Sequence, residues 1–375
     1  MTERRAIVSS AFALRQAGVY YALALVLAGM AAITAAYGMP AYLTFANLGN
    51  IAYQASLVGI VGVGMTVLLI AGAFDLSVAS VAALAAAVMV GLAGQIGVVP
   101  AMLAALCAAA AVGVFNALVV ELAGINAFIV TLATLTAVRG LVLVMTGGRS
   151  LMVEQPAVLA HMLALESGRV RIDLPLAVVA IVLIALGAAQ KRAGRPVLLT
   201  GIALLVIAGA AVGATVAMPV ACLAVLATIA WAVMTQTVVG RRLQAVGSNA
   251  EAARLSGIAV ERYRIGAFVL VSLTAGLAGV LFACRLGSVN PTALTGMELT
   301  VIAAAILGGT SLYGGSGSVV RTLAGAFLLF ALTNGFNVLD IGANYQGIIE
   351  GAVIIVAAAI YSTGNRRSAR HGGAG

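Results

Sequence analysis

Stretches of about twenty apolar residues, the length that crosses ~30 Å of hydrocarbon as a helix, follow one another along nearly the whole chain. Inside a bilayer every backbone N–H and C=O must find its partner within the protein, which leaves only helices and closed barrels. The alternation of apolar and polar residues that marks a barrel strand is absent, so the expected fold is all-α, a polytopic transmembrane helical bundle. With 63% hydrophobic and 8% charged residues and a mean hydropathy of +1.16, no polar stretch is long enough to build a soluble domain. Candidate spans fall at 17–38, 51–72, 76–94, 98–122, 126–146, 172–189, 197–214, 216–237, 264–284, 298–310, 319–338 and 343–361. The run at 298–310 is too short to cross at 1.5 Å per residue. It leads into GGTSLYGGSGS, and reads as a broken or re-entrant element.

The chain accordingly divides into an N-terminal tail, 1–16, a membrane domain, 17–361, and a C-terminal tail, 362–375. MTERR followed by an apolar stretch resembles a secretory signal, but with many spans behind it the stretch reads as a retained first helix. The net charge of +9 comes from basic residues scattered over short loops. They form no patch for nucleic acid, and positive-inside asymmetry accounts for them. Counting spans from an inside N-terminus places Lys191, Arg192, Arg195, Arg241, Arg242, Arg254, Arg262, Arg264, Arg366, Arg367 and Arg370 on the cytoplasmic side. Both termini are therefore expected in the cytoplasm. Arg149, Arg169, Arg171 and Arg285 fall outside, against the trend. The longest outside segment, 147–171, carries Glu154, Pro156, His161 and Glu166 and suffices for a lid or a docking ledge. Spans 172–189 and 197–214, joined by QKRAGR, read as an extra helical hairpin. Cys107, Cys222 and Cys284 lie within apolar runs without metal-like spacing, and are expected to be small buried packers.

One long polar stretch interrupts the hydrocarbon: GRRLQAVGSNAEAARLSGI, residues 240–258. Its charges, Arg241, Arg242, Glu251 and Arg254, cannot lie in the bilayer core, so the loop 238–264 faces water. Ser248 and Glu251 have the spacing of a capping box. Ala250 to Ser256 reads as about two turns of helix, and Gly257 suits the position just past its end. So short a helix is unstable alone in water. It either rests on the membrane interface or docks into a groove of a cytoplasmic partner.

The string EAARLSG at 251–257 resembles the Glu-Ala-Ala loop of ATP-binding-cassette permease subunits. The wider GRRLQAVGSNAEAARLSGIAV is similar to the ribose/xylose-type sugar permeases of bacterial uptake systems. AGAFDLSVAS at 71–80 and AAAILGGTSLYGGSGSV at 303–319 resemble two further stretches of that family, in family order, and the likeness covers about residues 45–361. Phe74 stands where the family usually has Ile, and Ala79 where it usually has Gly. The 172–214 hairpin is similar to that of the longer xylose-type members. The resemblance implies a type II importer fold in the inner (cytoplasmic) membrane, surrounded by membrane lipid. It implies a permease working as a homodimer with a second copy, beneath an extracytoplasmic sugar-binding protein and above cytoplasmic ATPase subunits. The cargo would be a monosaccharide, xylose- or ribose-like. In that scheme Ser248, Asn249, Glu251, Ala252, Ala253, Arg254 and Gly257 form the ATPase-coupling helix.

GGTSLYGGSGS is not a phosphate loop: Gly314 is followed by Gly315 and Ser316 with no lysine, and a helical run rather than a strand precedes it. No cofactor is expected, ATP being bound by the partner subunit. Gly308, Gly309, Gly314 and Gly315 are expected to allow a sharp turn and close helix approach. Asp75, between two spans, either caps the following helix together with Ser77 or takes part in gating. Asn116, Asn126, Asn290, Asn334 and Asn337 offer amides to a sugar, or glue helices together. Glu121, Glu298 and Asp340 sit at span ends, where a solvated carboxylate needs no partner, while Glu350 is the most interior and the candidate for a pathway role. Two histidines, His161 and His371, with no Ser/His/Asp or metal cluster, argue against an intramembrane enzyme. Glu350 alone is a thin basis for an ion-coupled secondary transporter, and branched-chain amino acids are the neighbouring cargo class.

Overall fold

The computed structural model describes residues 2–171 and 215–341 as continuous stretches, with isolated positions within 173–213 and 347–352. The hairpin read at 172–214, the span at 343–361 and Glu350 therefore lie, apart from those positions, outside the described residues. The helices are α1 (Thr2–Ala36), α2 (Phe45–Ile70), α3 (Val78–Ile96), α4 (Val98–Leu122), α5 (Ala127–Thr146), α6 (Pro156–Ser167), α7 (Met218–Gln236), α8 (Val238–Ser248), α9 (Ala250–Leu255), α10 (Val260–Leu286), α11 (Met297–Leu307) and α12 (Val319–Val338). Two antiparallel ribbons of two short strands each complete the set. In one, β1 (Leu151–Met152) pairs with β4 (Ser288–Val289); in the other, β2 (Arg169–Arg171) pairs with β3 (Thr215–Ala217).

Among the described residues eight helices are long and apolar enough to cross a membrane: α1 from Ala17 onward, α2, α3, α4, α5, α7, α10 and α12. Helix α1 starts at Thr2, so it continues through most of the segment read as a separate tail. Boundaries follow local chemistry. Thr44 is extended and its hydroxyl accepts the Asn47 N–H at 3.1 Å, opening α2. Gly147, in the left-handed region, closes α5.

A helix that is apolar all round must be buried or face lipid, and both cases occur. Helix α2 is buried without interruption from Ala55 to Ile70 and forms the axis of the bundle, with α7, α10, α11 and α12 packed on it. Helix α4 buries one stripe of small residues at every fourth position, Ala101, Ala105, Ala109, Gly113 and Ala117. That stripe lies against α10, the close approach small residues permit in membranes: a Cβ on Gly113 would meet the Ser272 side chain at 2.7 Å. The opposite face of α4, with Leu103, Phe115 and Leu122, is exposed. Cys107 lies on that exposed side, contrary to the expectation of a buried packer, whereas Cys284 is buried in α10.

The 11 residues of α11 give a rise of about 16 Å, roughly half the hydrocarbon thickness. Between α10 and α11 lie β4 and an irregular stretch, 290–296. The short helix is thus flanked by non-helical backbone on both sides, as expected of a broken or re-entrant element.

Candidate functional site

The polar stretch folds as a helical hairpin rather than as a loop carrying one helix. Helix α8 is opened by Thr237, whose hydroxyl accepts the Val239 N–H, and it runs to Ser248. Asn249 then breaks the chain direction in an extended conformation (φ −159°, ψ 100°), and its side chain accepts the Ala252 N–H at 3.0 Å, capping α9. This corrects the expected capping box. Ser248 is the last residue of α8, and its hydroxyl donates back to the Gln244 carbonyl at 2.7 Å. Asn249 wins because its amide oxygen reaches the orphan N–H from the residue immediately before the helix.

The other end of α9 agrees with the sequence. Gly257 lies at φ +78°, its N–H donates to Arg254 O and the Ile258 N–H to Ala253 O, both at 3.0 Å. This is a Schellman closure, in which glycine avoids the steric cost of the left-handed region. Closed at both ends, six residues hold a helix that would not persist in isolation. Ala253 turns inward onto Val246 and Val260, while Glu251, Ala252 and Arg254 face outward beside Leu255, which is 86% exposed.

Backbone contact fastens this hairpin to the membrane body. The Gly315 N–H donates to the Ile70 carbonyl at the end of α2 (3.0 Å). A Cβ on Gly247 would run into Ile70 O and the Gly315 nitrogen, and one on Gly314 would lie 2.8 Å from the Gly72 Cα. The end of α2, the end of α8 and the 308–318 turn thus meet at a junction too tight for side chains, with Gly314 and Gly315 at φ +88° and +76°. Arg321 seals the neighbouring turn by donating to Gly308 O at 3.0 Å. Arginine 264, in the first turns of α10, donates to Ala71 O (3.2 Å) and pairs with Glu121 at 3.5 Å. Glu121 is therefore a buried partner, not the solvated span-end carboxylate expected.

Asp75 is fully buried beside this junction. Its Oδ1 accepts the Ser77 N–H (2.7 Å) and hydroxyl (2.6 Å). Asn116 donates to Asp75 Oδ2 (3.4 Å) and Ser77 Oγ (3.1 Å), and accepts from the Thr134 hydroxyl at 2.6 Å. The network joins α3, α4 and α5. Burial pushes the Asp75 carboxyl above the usual carboxylate range, against the pull of its Ser77 and Asn116 hydrogen bonds. Phe74, the departure from the family pattern, packs on Phe128 with ring centroids 6.1 Å apart.

The remaining asparagines separate. Asn126 caps α5 through Phe128 N (2.8 Å), and Asn290 makes a local turn by accepting the Thr292 N–H and hydroxyl. Asn334 is buried with its Oδ1 lacking a hydrogen-bond partner among the described residues, and Asn337 is exposed.

At the opposite end of α10 a side-chain cluster takes over. Arg285 pairs with Glu166 of α6 at 2.8 Å and lies 3.9 Å over the Tyr53 ring of α2, whose hydroxyl donates to the same carboxylate at 2.5 Å. The cluster explains why Arg285 sits where the positive-inside count disfavours it. Sequence reasoning named Glu166 and Arg285 only as charges falling outside, did not name Tyr53, and missed the cluster. It also passed over Leu255 and Arg139, although a lone charge inside an apolar span is itself a signal.

A bundle of membrane helices with a small capped helix braced on its end is the architecture of a transport permease. The chain is matched over residues 47–358 by the model of the branched-chain amino acid transport system / permease component family, and belongs to that family. It is 34% identical to the ribose import permease protein RbsC of Escherichia coli over 85% of this chain and 86% of the relative. It is 32% identical to the xylose transport system permease protein XylH of Escherichia coli, over 88% of each. Bacillus subtilis RbsC is 31% identical over 85% of each. No solved structure matches the chain. The protein is a multi-pass membrane permease component, a transport subunit rather than an enzyme.

Proposed function

We propose that this chain, paired with a second copy, forms the translocation pathway of an ATP-binding-cassette importer for a ribose- or xylose-type monosaccharide. The family description names branched-chain amino acids. The ribose and xylose permeases, matched over 85–88% of both chains, favour a sugar. The observation that carries the mechanism is α9, a six-residue helix closed at both ends that presents Leu255 to solvent beside Glu251, Ala252 and Arg254. A cytoplasmic ATPase groove receives that face, and Tyr313, 95% exposed on the adjoining turn, supports it as an apolar neighbour. Motion of α9 then reaches α2 through the glycine junction and α10 through Arg264. The α6 end faces the sugar-binding protein, and both termini are cytoplasmic.

Reconstituted complexes test the coupling. Gly257→Val places a side chain where left-handed backbone costs it ~1 kcal/mol or more, and Glu251→Ala removes the first-turn charge that the helix dipole favours. Both are expected to depress sugar uptake per ATP hydrolysed while leaving membrane insertion intact. Wild-type coupling in both variants, with the complex assembled, would reject the assignment. Sidedness is read by labelling single cysteines at Gln244 and Ala160: only the latter is expected to react from outside intact cells.

A further inference from the structure

Helix α5 carries one charge along its apolar length, Arg139. It sits twelve residues past Ala127, about 18 Å along the helix axis, within the apolar length of a helix long enough to span a membrane. A guanidinium there is expensive unless its donors are satisfied by protein. It donates from Nη1 to Pro291 O at 2.9 Å and to Ala293 O at 2.8 Å. Both carbonyls belong to the irregular stretch between β4 and α11, the part of the broken crossing that has no helix to use them. Backbone of this kind at membrane depth is tolerated only where protein or a water-lined cavity receives it.

The same stretch is held in an uncommon shape. Leu294 lies at φ +60° and Gly296 at φ +90°, the first a conformation that side chains disfavour. Its hydroxyl donors are used internally: Thr292 donates to Asn290 Oδ1 (2.8 Å) and Thr295 to Thr292 O (2.7 Å). Asn290, Thr292 and Thr295 are nonetheless exposed. The two threonine hydroxyl oxygens are left to accept, while Asn290 Oδ1 is already taken by the Thr292 N–H and hydroxyl and its amide nitrogen is a donor. Glu298 follows in the first turn of α11, with its Oε2 buried and lacking a hydrogen-bond partner among the described residues. It is not the solvated span-end carboxylate the sequence suggested. An exposed row of hydroxyl and amide groups in a membrane crossing has no use against lipid, and it complements a solute rich in hydroxyls.

We infer that Arg139 is a positioning residue for solute selection: by gripping the Pro291 and Ala293 carbonyls it fixes the 290–296 break so that Asn290, Thr292 and Thr295 present a polar edge to a polyhydroxylated solute on its route. This rests on the sugar-permease reading above. Either reading can fail separately, because the wild-type arm of the experiment tests one and the variants test the other.

The full complex with its ATPase and binding protein, in proteoliposomes, is compared as wild type, Arg139→Met, Arg139→Lys and Thr295→Val, with labelled pentose and hexose supplied separately. Arg139→Met is expected to lower pentose uptake about tenfold, the rate equivalent of losing one charge-assisted hydrogen bond, and to change the pentose-to-hexose ratio. Arg139→Lys, which keeps the charge on a shorter side chain without the planar guanidinium, is expected to recover part of both. Thr295→Val, at an exposed position outside the fold's core, is expected to lower pentose uptake and shift the ratio with assembly unchanged, and it decides the matter if Arg139→Met does not assemble. An unchanged ratio in Arg139→Lys and Thr295→Val, with wild-type uptake intact, would overturn the inference. A wild-type complex that moves no monosaccharide would overturn the sugar reading and this inference with it.

Discussion

The bundle is fastened by different means beside the two ends of α10. At the α8–α9 end the Arg264 side chain ties α10 to Ala71 and Glu121, but α2, α8 and the turn after α11 meet backbone against backbone, with Gly72, Gly247, Gly314 and Gly315 leaving no room for side chains. At the α6 end Tyr53 and Arg285 share the buried Glu166 carboxylate. A backbone junction has no rotamers to slacken, so a displacement of α8 is delivered to the end of α2 with little loss. An ion pair has alternatives: either charge can be taken up by water or by a partner's counter-charge. On the proposed coupling, the first end is expected to transmit and the second to release.

The largest effect expected from that difference is at the charged end. Glu166→Ala leaves Arg285 partly buried beside apolar groups, and loss of one member of a buried pair costs about 3–5 kcal/mol. Thermal unfolding in detergent should show it, and the double variant Glu166→Ala/Arg285→Met should recover a good part. A single variant as stable as wild type would mean that the ledge is held by packing alone.

Gly247→Val attacks the backbone end. Overpacking costs about 1–3 kcal/mol when neighbours can adjust, and here the neighbours are main-chain atoms of Ile70 and Gly315. The sharper readout is coupling, which should fall further than stability does. Equal losses in both would remove the distinction between a transmitting and a merely structural junction.

Asp75→Ala comes next, at about 1–3 kcal/mol for the Ser77 and Asn116 groups left unpaired. The sign of its pH dependence follows from burial. A carboxyl raised in the folded state binds its proton more tightly there than in the unfolded chain. Its contribution is therefore fully present below the unfolded value and is lost as pH rises through the raised folded one. The stability difference between wild type and Asp75→Asn should drift with pH in that direction, and a flat difference would contradict the assignment. The smallest effect is expected from Arg254→Ala. Its 2.5 Å pair with Glu261 is exposed on both sides, and melting should match wild type.

What the sequence made legible was local. Span positions follow from runs of like residues, and the ends of α9 follow from Asn249 and Gly257 within a few residues of the helix they close. Even there the nearest signal misled: Ser-x-x-Glu suggested Ser248 as the cap, and the extended backbone at Asn249 decided otherwise. Contacts that join distant residues left no periodic trace. Nothing in the apolar text around Tyr53 shows that Glu166 and Arg285 will meet on it. Nor does Gly247, one glycine among 44, announce that it touches Gly72 and Gly315. Glu298 and Glu121 were read as span-end charges because position relative to a span is visible in sequence, while what packs over the end is not.

The glycine junction also orders the protein's biogenesis. Its four members are spread from position 72 to position 315, and chains are made and inserted from the N-terminus. Until the turn after α11 has been synthesised, the carbonyl of Ile70 has no Gly315 N–H to receive and the end of α8 has nothing to close against. Earlier helices can enter the bilayer and pack around α2, but the face that carries α9 cannot set before the last of the four arrives. Chains stalled before Gly315 would therefore be membrane-inserted yet lack a finished α9 face.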